Sequence, residues 1–389
     1  MHQEDKIVIL GCGFIGMITA LSLASRGIKT TIFEKQSMDD LKSIKDSRNI
    51  ALTHNSQKWL LLNKLWGLLE HYVACIKDVY VIDNKDEESI LQLNATSNES
   101  AMGYMIMSTD FQRILLDSIL SNDNINLICS SSYTDIVSSA SSSDIVFNDH
   151  TVKANVILVC DGKNSLAMQK YSSYFLQKDY KQTALVFTVS HEKPHENTAV
   201  EHFLSSGVFA ILPTINQYES SIVWIESDIS AALLLKKDDI SHELLERFGP
   251  FLGDVKITSK ILSYGLTASL INNYYHNKLI FVGDSAHVIH PLAGQGLNQG
   301  IEDARSIVEI MSKIYSLGLE IREEYLRAYQ RQRFRANLSM FMLTNSLEKL
   351  FVNDHKMLSS LRKFGLRFIE SSPTLKSLIS SYSMQKKFF

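Results

Sequence analysis

Cysteine is scarce in this chain of 389 residues: Cys12, Cys75, Cys129 and Cys160 are the whole set, and no two are closely spaced. A disulfide framework or a structural metal is therefore not expected, and a reducing compartment fits. No apolar run is long enough to span a bilayer. The N-terminus lacks the basic, apolar and small-residue order of an export signal, and its first apolar run already reads as a folded strand. An Arg-rich, acid-poor presequence is missing too. The chain is expected in the cytoplasm, already processed if its lineage is mitochondrial. A general basic field is also missing, since the formal net charge is −3, so nucleic acid is not an expected partner. The charge is uneven, however. From Arg322 to the end there are thirteen Lys and Arg against five Asp and Glu. The plain reading is a solvated helical face. The sharper one is an acidic partner or an anionic membrane surface.

With 45% hydrophobic and 21% charged residues, the chain can build two or three packed units. Lys6-Ile7-Val8-Ile9-Leu10 is a short β-branched run, and Gly11-Cys12-Gly13-Phe14-Ile15-Gly16 follows it, opening a helical pattern through Ala24. Ile28 to Phe33 reads as a second strand, which Glu34 and Lys35 end about twenty residues past the glycines. This is a dinucleotide fingerprint in strand–turn–helix context. Gly11 makes the tight turn, Gly13 admits a pyrophosphate, Gly16 packs helix on strand, and Glu34 accepts from a ribose. A second segment is more specific. The strand Leu279 to Val282 runs into Gly283-Asp284, and His287, His290, Pro291 and the turn Gly294-Gln295-Gly296-Leu297-Asn298 lead to a helix starting near Leu297. Glycines allow close approach to a flat ligand, and a helix start favours negative charge. Together these describe a seat for a flavin, with Asp284 on its sugar-like chain and the Gly294–Gly300 turn beside its ring. His287 and His290 lie three apart, but no acid or Cys accompanies them in the motif, and no metal is expected.

The fold class expected is α/β: a discontinuous Rossmann-like FAD-binding domain (1–72, 99–178 and 267–320), an inserted β-sheet substrate domain (73–98 and 179–266), and a helical C-terminal region (321–389). Val79 to Leu93 reads as two strands about a turn at Asn84-Lys85-Asp86, and the serine-rich stretch from Ser130 to Ser143 reads as a hairpin because Tyr133, Ile136 and Val137 break it. Val156 to Cys160 is another buried strand, ending at Asp161-Gly162. Apolar runs at Ala184 to Val189, Val208 to Leu212 and Ser221 to Trp224 suggest the inserted sheet, and helical spacing dominates after Ala304.

The three motifs in this order resemble the flavin aromatic hydroxylases of the para-hydroxybenzoate hydroxylase fold, and more closely the ubiquinone-biosynthesis hydroxylases. The resemblance covers nearly the whole chain. Asp46-Ser47-Arg48, Gly103-Tyr104, Gln112-Arg113, the stretch from Gln182 to Trp224 and His287 to Asp303 carry it. Three positions depart: His202 stands where the family usually has Arg, Val208 where it has Pro, and Met168 where it often has Arg. The resemblance implies FAD as cofactor, NAD(P)H as transient reductant and O2 as co-substrate, with oxygen delivered to an electron-rich, polyprenylated phenol. It adds Arg48 and Arg113 as FAD contacts. His290 and Pro291 are expected to shape the pocket at the flavin edge, and Phe209, Ile211, Leu212 and Trp224 to exclude water. A ubiquinone-biosynthesis complex and peripheral contact at the inner face of the membrane are further expectations, the latter through apolar Leu361, Phe364, Leu366, Phe368 and Ile369 among the basic residues. Two rival readings remain: a same-fold reductase of isoprenoid substrates, and a flavin-loaded scaffold without catalysis. A same-fold halogenase is disfavoured because Trp224 continues Ile225-Glu226, not the halogenase Trp-x-Trp-x-Ile-Pro.

Overall fold

The computed structural model describes residues 7–43, 48–83, 90–95, 101–139, 142–204, 206–237, 239–249, 251–352 and 365–383. The turn at Asn84-Lys85-Asp86, Asp46-Ser47, Leu361 and Phe364 lie outside them. Three sequence-distant strands form the heart of the first layer. Ile7–Leu10 pairs in parallel with Thr30–Phe33 on one side and Val156–Val159 on the other. Ile125–Ile128 extends one edge, and Leu279–Phe281 the other. Both Ile7–Leu10 and Val156–Val159 are buried throughout, which is why they read as continuous apolar runs without alternation. The helix Phe14–Ala24 is buried from Gly16 to Ala24, because helices Ser108–Leu120 and Gln295–Ser316 pack on it. Gly16 lets this helix lie close against the turn that precedes it: a Cβ there would overlap the Gly11 carbonyl oxygen. Gly11 itself has φ +98°, a conformation that other residues resist.

The second layer is a mostly antiparallel sheet. Its order runs from His287–Val288 through Leu262–Ile271, Tyr174–His191, Glu219–Ser227, Gly207–Pro213, Thr198–Leu204 and Asp78–Asp83 to Ile90–Asn94. The last two strands are the expected pair on either side of residues 84–89. The serine-rich stretch is a hairpin, Asp135–Ser138 against Ser143–Val146. The expected domain boundaries need adjustment. Val73–Ile76 pairs with Gly103–Met107 in a small sheet that also holds Asn49–Thr53, so it belongs with the nucleotide side. The boundaries at 179 and 267 fall inside two unbroken strands, Tyr174–His191 and Leu262–Ile271, which pair with each other. The two units therefore share backbone ladders across the expected boundaries.

Strand alternation gives the large sheet two apolar faces. On one, Leu185, Phe187, Phe209, Ile211, Ile222 and Trp224 pack under helices Asp228–Leu234 and Ser241–Phe248. The other faces the nucleotide layer and, farther along, the C-terminal helices. Helix Glu323–Val352 contributes Met340, Phe341 and Phe351 to a core that also holds Leu366. Phe351 stacks on Phe203 with centroids 3.8 Å apart, and Lys178 reaches Glu348 at 3.0 Å. Leu366 and Ile369, expected on an exposed amphipathic surface, are turned into this core, whereas Phe368 is exposed. Among the described residues, no helix is long and apolar enough to cross a membrane.

Candidate active site

Between the two layers lies a cavity of about 640 Å³. Its nucleotide wall is built from Gly13, Phe14, Ile15, Arg48, Gly162, Asp284, Pro291 and the turn Gly294 to Asn298. Its sheet wall consists of Val79, Val81, Ala184, Val186, Ala199, Glu201, Val208, Ala210, Leu212 and Val223, with Ile225 and Leu266 beyond. The sequence thus brings together residues up to 285 positions apart, and most of the expected cofactor residues meet here.

The helix after the glycine turn begins at Gln295, two residues before the expected start. Gly294 is its N-cap in the left-handed conformation, φ +61°. The turn is clamped by Asn298, whose carbonyl accepts from the Thr53 amide at 2.8 Å and the Ser56 hydroxyl at 2.7 Å. Its amide nitrogen donates to Ala51 O and Gly294 O. With those bonds made, Asn298 acts as a staple holding the turn against strand Asn49–Thr53, and Gln295, Gly296 and Leu297 line the cavity beside it.

Asp284 projects into the cavity without a hydrogen-bond partner among the described residues, and the surrounding protein pushes its carboxyl above the usual range, offset in part by His287, Arg48 and Lys163. The guanidinium of Arg48 lies 4.9 Å from the Tyr264 ring centroid. A carboxylate without partners and a nearby arginine provide an acceptor and a cation for a polar ligand. At Gly13, Gly162 and Gly296 an added Cβ would meet nothing within 4 Å, so the backbone there faces open space. That geometry fits a flat, polyhydroxylated, phosphate-bearing cofactor.

The residues expected at the adenosine end, and Asp161, lie outside the cavity. Glu34 is buried and accepts from Cys12 N at 2.6 Å and Gln36 N at 2.9 Å, so it fixes the fingerprint turn. Lys35 is exposed beside it. Asp161 accepts the Tyr133 hydroxyl at 2.5 Å; burial raises its carboxyl, and that hydrogen bond opposes the rise. Tyr133, missed in the sequence as a site residue, thus braces the Asp161-Gly162 corner.

Three of the expected groups are placed wholly or partly away from the cavity. Arg113 does not reach the cavity. It is half exposed, pairs with Asp110 at 3.1 Å and lies over Tyr72, because its helix turns that face to solvent. His290 is buried behind the cavity and packs edge-on to Tyr180 at 4.5 Å, so Pro291 alone of the pair lines the pocket. Burial, and then Lys178, push the His290 ring down to about 4. Phe209, Ile211 and Trp224 point to the far face of the sheet, so Leu212 is the only member of that group on the cavity wall. The same alternation turns His202 away from the cavity, whereas Val208 lines it. Met168 is packed in the nucleotide-side core.

His287 has an acidic partner that its local motif does not contain. Its Nε2 is 2.6 Å from Asp303 Oδ2, and Arg333 Nε is 2.5 Å from Asp303 Oδ1. Gly283 N and Asn337 Nδ2 also donate to Asp303. Burial alone would raise this carboxyl, but His287 and Arg333 outweigh it and hold it near 2. The network ties the Gly283-Asp284 corner to helix Gln295–Ser316 and to the C-terminal helix. Among the described residues, no three His, Cys, Asp or Glu converge as metal ligands.

The comparisons agree with this geometry. Residues 131–342 match the FAD binding domain family. Along its length the chain is 32% identical to the ubiquinone hydroxylase UbiL of Rhodospirillum rubrum, covering 98% of this chain and 90% of that protein. It is 25% identical to the 3-demethoxyubiquinol 3-hydroxylase of Escherichia coli, covering 98% and 99%. Among solved structures, p-nitrophenol 4-monooxygenase PnpA from Pseudomonas putida shares the fold with a TM-score of 0.80 at 14% identity, covering 99% of both chains. The fold and its cavity define a flavoprotein. The chain belongs to the FAD-dependent aromatic hydroxylases of the ubiquinone-hydroxylase family.

Proposed function

We propose that this chain is a class A flavin monooxygenase that hydroxylates the aromatic ring of a polyprenylated phenol in ubiquinone biosynthesis, using FAD, NAD(P)H and O2. The observation that carries the reading is the cavity in which a flavin-type turn faces an apolar sheet wall. FAD, when bound, would supply the redox chemistry, accepting reducing equivalents from NAD(P)H and activating O2. The protein's own residues supply the remaining functions. The amides of Gln295, Gly296 and Leu297 sit at a helix start, where negative charge on a neighbouring ring is stabilised. Asp284 and Arg48 hold the polar parts of the cofactor. Val79, Val81, Val186, Val208, Leu212 and Ile225 exclude water from the reacting face and accept an apolar tail. Pro291 fixes the rim at which the ring is oriented.

The test is expression in cells that lack each ubiquinone ring hydroxylase in turn. Restored ubiquinone, with the accumulated intermediate identified by mass, would assign the ring position. No rescue in any strain, despite bound FAD, would remove the reading. A polyprenylated phenol is nearly insoluble, so we further propose that the enzyme meets it at a membrane surface or within a biosynthetic complex, through the basic C-terminal region. Flotation should then be stronger with anionic than with neutral vesicles and weaken at high salt. Equal recovery with both would leave that region as a solvated face.

A further inference from the structure

The sheet wall of the cavity contains one residue whose chemistry does not match its surroundings. Strand Thr198–Leu204 alternates, and Ala199 and Glu201 point to the cavity. Across the ladders Glu201 lies beside Val81 on one neighbour and Ala210 on the other. Ala210 is next to Val223, and Val223 next to Val186. The row is thus Val81, Glu201, Ala210, Val223, Val186: four small or branched apolar side chains and a carboxylate.

Among the described residues, the Glu201 carboxylate has no hydrogen bond and no ion pair. Burial is the one influence on its acidity, pushing it from 4.5 up to about 7. The titratable groups elsewhere on the cavity wall are Arg48, Cys160, Tyr264 and Asp284, and none of them offsets that burial. On the flanking strands Asp83 shares the face of Val81, two residues on and opposite Phe203, but it does not line the cavity and does not contribute to the shift of Glu201. A carboxylate in such a wall is destabilising unless something bonds to it. A leucine would be more stable there. The missing partner is a donor that arrives in the cavity, and a phenol's ring hydroxyl is such a donor.

Resting on the hydroxylase reading above, we propose that Glu201 is a catalytic residue whose carboxylate accepts the hydrogen bond, and then the proton, of the substrate's ring hydroxyl. The O–H bond breaks, the proton passes to Glu201, and the electron pair stays on the ring oxygen. That pair raises electron density at the ortho and para carbons, where electrophilic oxygen is delivered. After transfer, the oxygenated carbon loses its hydrogen as a proton to water. The ring oxygen regains a proton from Glu201, which returns the carboxylate to its starting state. The apolar wall keeps the acid poised near the working pH, where a general base is most effective. It also selects for a ring that carries a free hydroxyl.

The test compares the FAD-loaded wild type with Glu201→Gln, using 2-prenylphenol and its methyl ether as probes. The isosteric substitution removes the base and leaves the volume intact. Glu201→Gln should keep its flavin absorbance and lose about 100-fold in kcat/KM for 2-prenylphenol. The wild-type rise of kcat/KM with pH, with an inflection near the value of about 7 expected for Glu201, should vanish in the variant. Binding followed through the flavin spectrum should weaken about tenfold for the phenol and not for the ether. Wild-type kcat/KM and pH profile in Glu201→Gln, or equal weakening for phenol and ether, would overturn the proposal. If the wild type hydroxylates neither probe, the hydroxylase reading fails by itself, and binding still decides on Glu201. A phenol preference that disappears in Glu201→Gln retains its role, and the lack of any preference removes it.

Discussion

On the nucleotide side of the cavity, Asp303 is fully enclosed and receives bonds from His287, Arg333, Asn337 and the Gly283 amide. On the sheet side, Glu201 faces the cavity and receives none. The first carboxyl is held near 2 and the second is pushed up to about 7, although burial acts on both in the same direction. The difference lies in the partners. Asp303 is a structural anion whose charge is compensated within the fold. Glu201 is an uncompensated one, and its compensation comes from what enters the cavity. Burial alone therefore does not distinguish a structural acid from a chemical one, but the list of its hydrogen-bond donors does.

The comparison can be broken most forcefully at Asp303. Asp303→Ala leaves His287 and Arg333 buried without their anion and should cost about 3–5 kcal/mol in thermal or urea unfolding. A loss below about 1 kcal/mol would mean that the network is not what holds the Gly283-Asp284 corner to those helices. Next is Asp284→Ala, which removes the open acceptor on the cofactor side. FAD affinity should fall roughly ten- to a hundredfold by fluorescence titration, while the fold stays intact. At Glu201 the expected sign is reversed. Its folded-state acidity is weaker than in the unfolded chain, so it is harmless below pH 4.5, and its penalty grows as the pH rises through about 7. Glu201→Leu should match the wild type at pH 4.5 and be more stable at pH 8 by about 1–2 kcal/mol, allowing for water in the cavity. Equal stability at both values would show that Glu201 is solvated or paired. The smallest effect is expected at Arg113. Arg113→Ala should change stability by less than about 0.5 kcal/mol, as for other exposed pairs. A tenfold loss of FAD affinity in that variant would support the sequence expectation that Arg113 contacts FAD.

The motifs were readable because each condenses a backbone requirement into adjacent residues. Gly11, Gly13 and Gly16 announce a turn, an open approach and a close helix, whereas the left-handed cap at Gly294, ahead of the expected helix start, was not read. Asp284 was picked out because a lone acid after a buried strand has few other uses. Partnerships across long separations were not legible. Asp303 with Arg333, Asn298 with Thr53, and Tyr133 with Asp161 are set by tertiary packing, and nothing local marks them. The cavity's apolar wall was half legible. The strands were found, but not which of their alternating faces looked inward, so Phe209 and Trp224 were assigned to the wrong side. Glu201 was passed over for the same reason, since its meaning depends on the four neighbours that flank it across the ladders.

The ladder between Ile7–Leu10 and Val156–Val159 also bears on how the protein is made. A ribosome releases the first strand long before its neighbour exists. At about 5–20 residues per second, the wait is on the order of ten seconds or more. Leu279–Phe281, and the staple from Asn298 to Thr53, come later still. During that interval a fully apolar strand and its glycine turn have only part of their sheet. Holding them apart from other nascent chains falls to chaperones until the last third of the sequence arrives, so the yield of active enzyme should depend on the pace of synthesis.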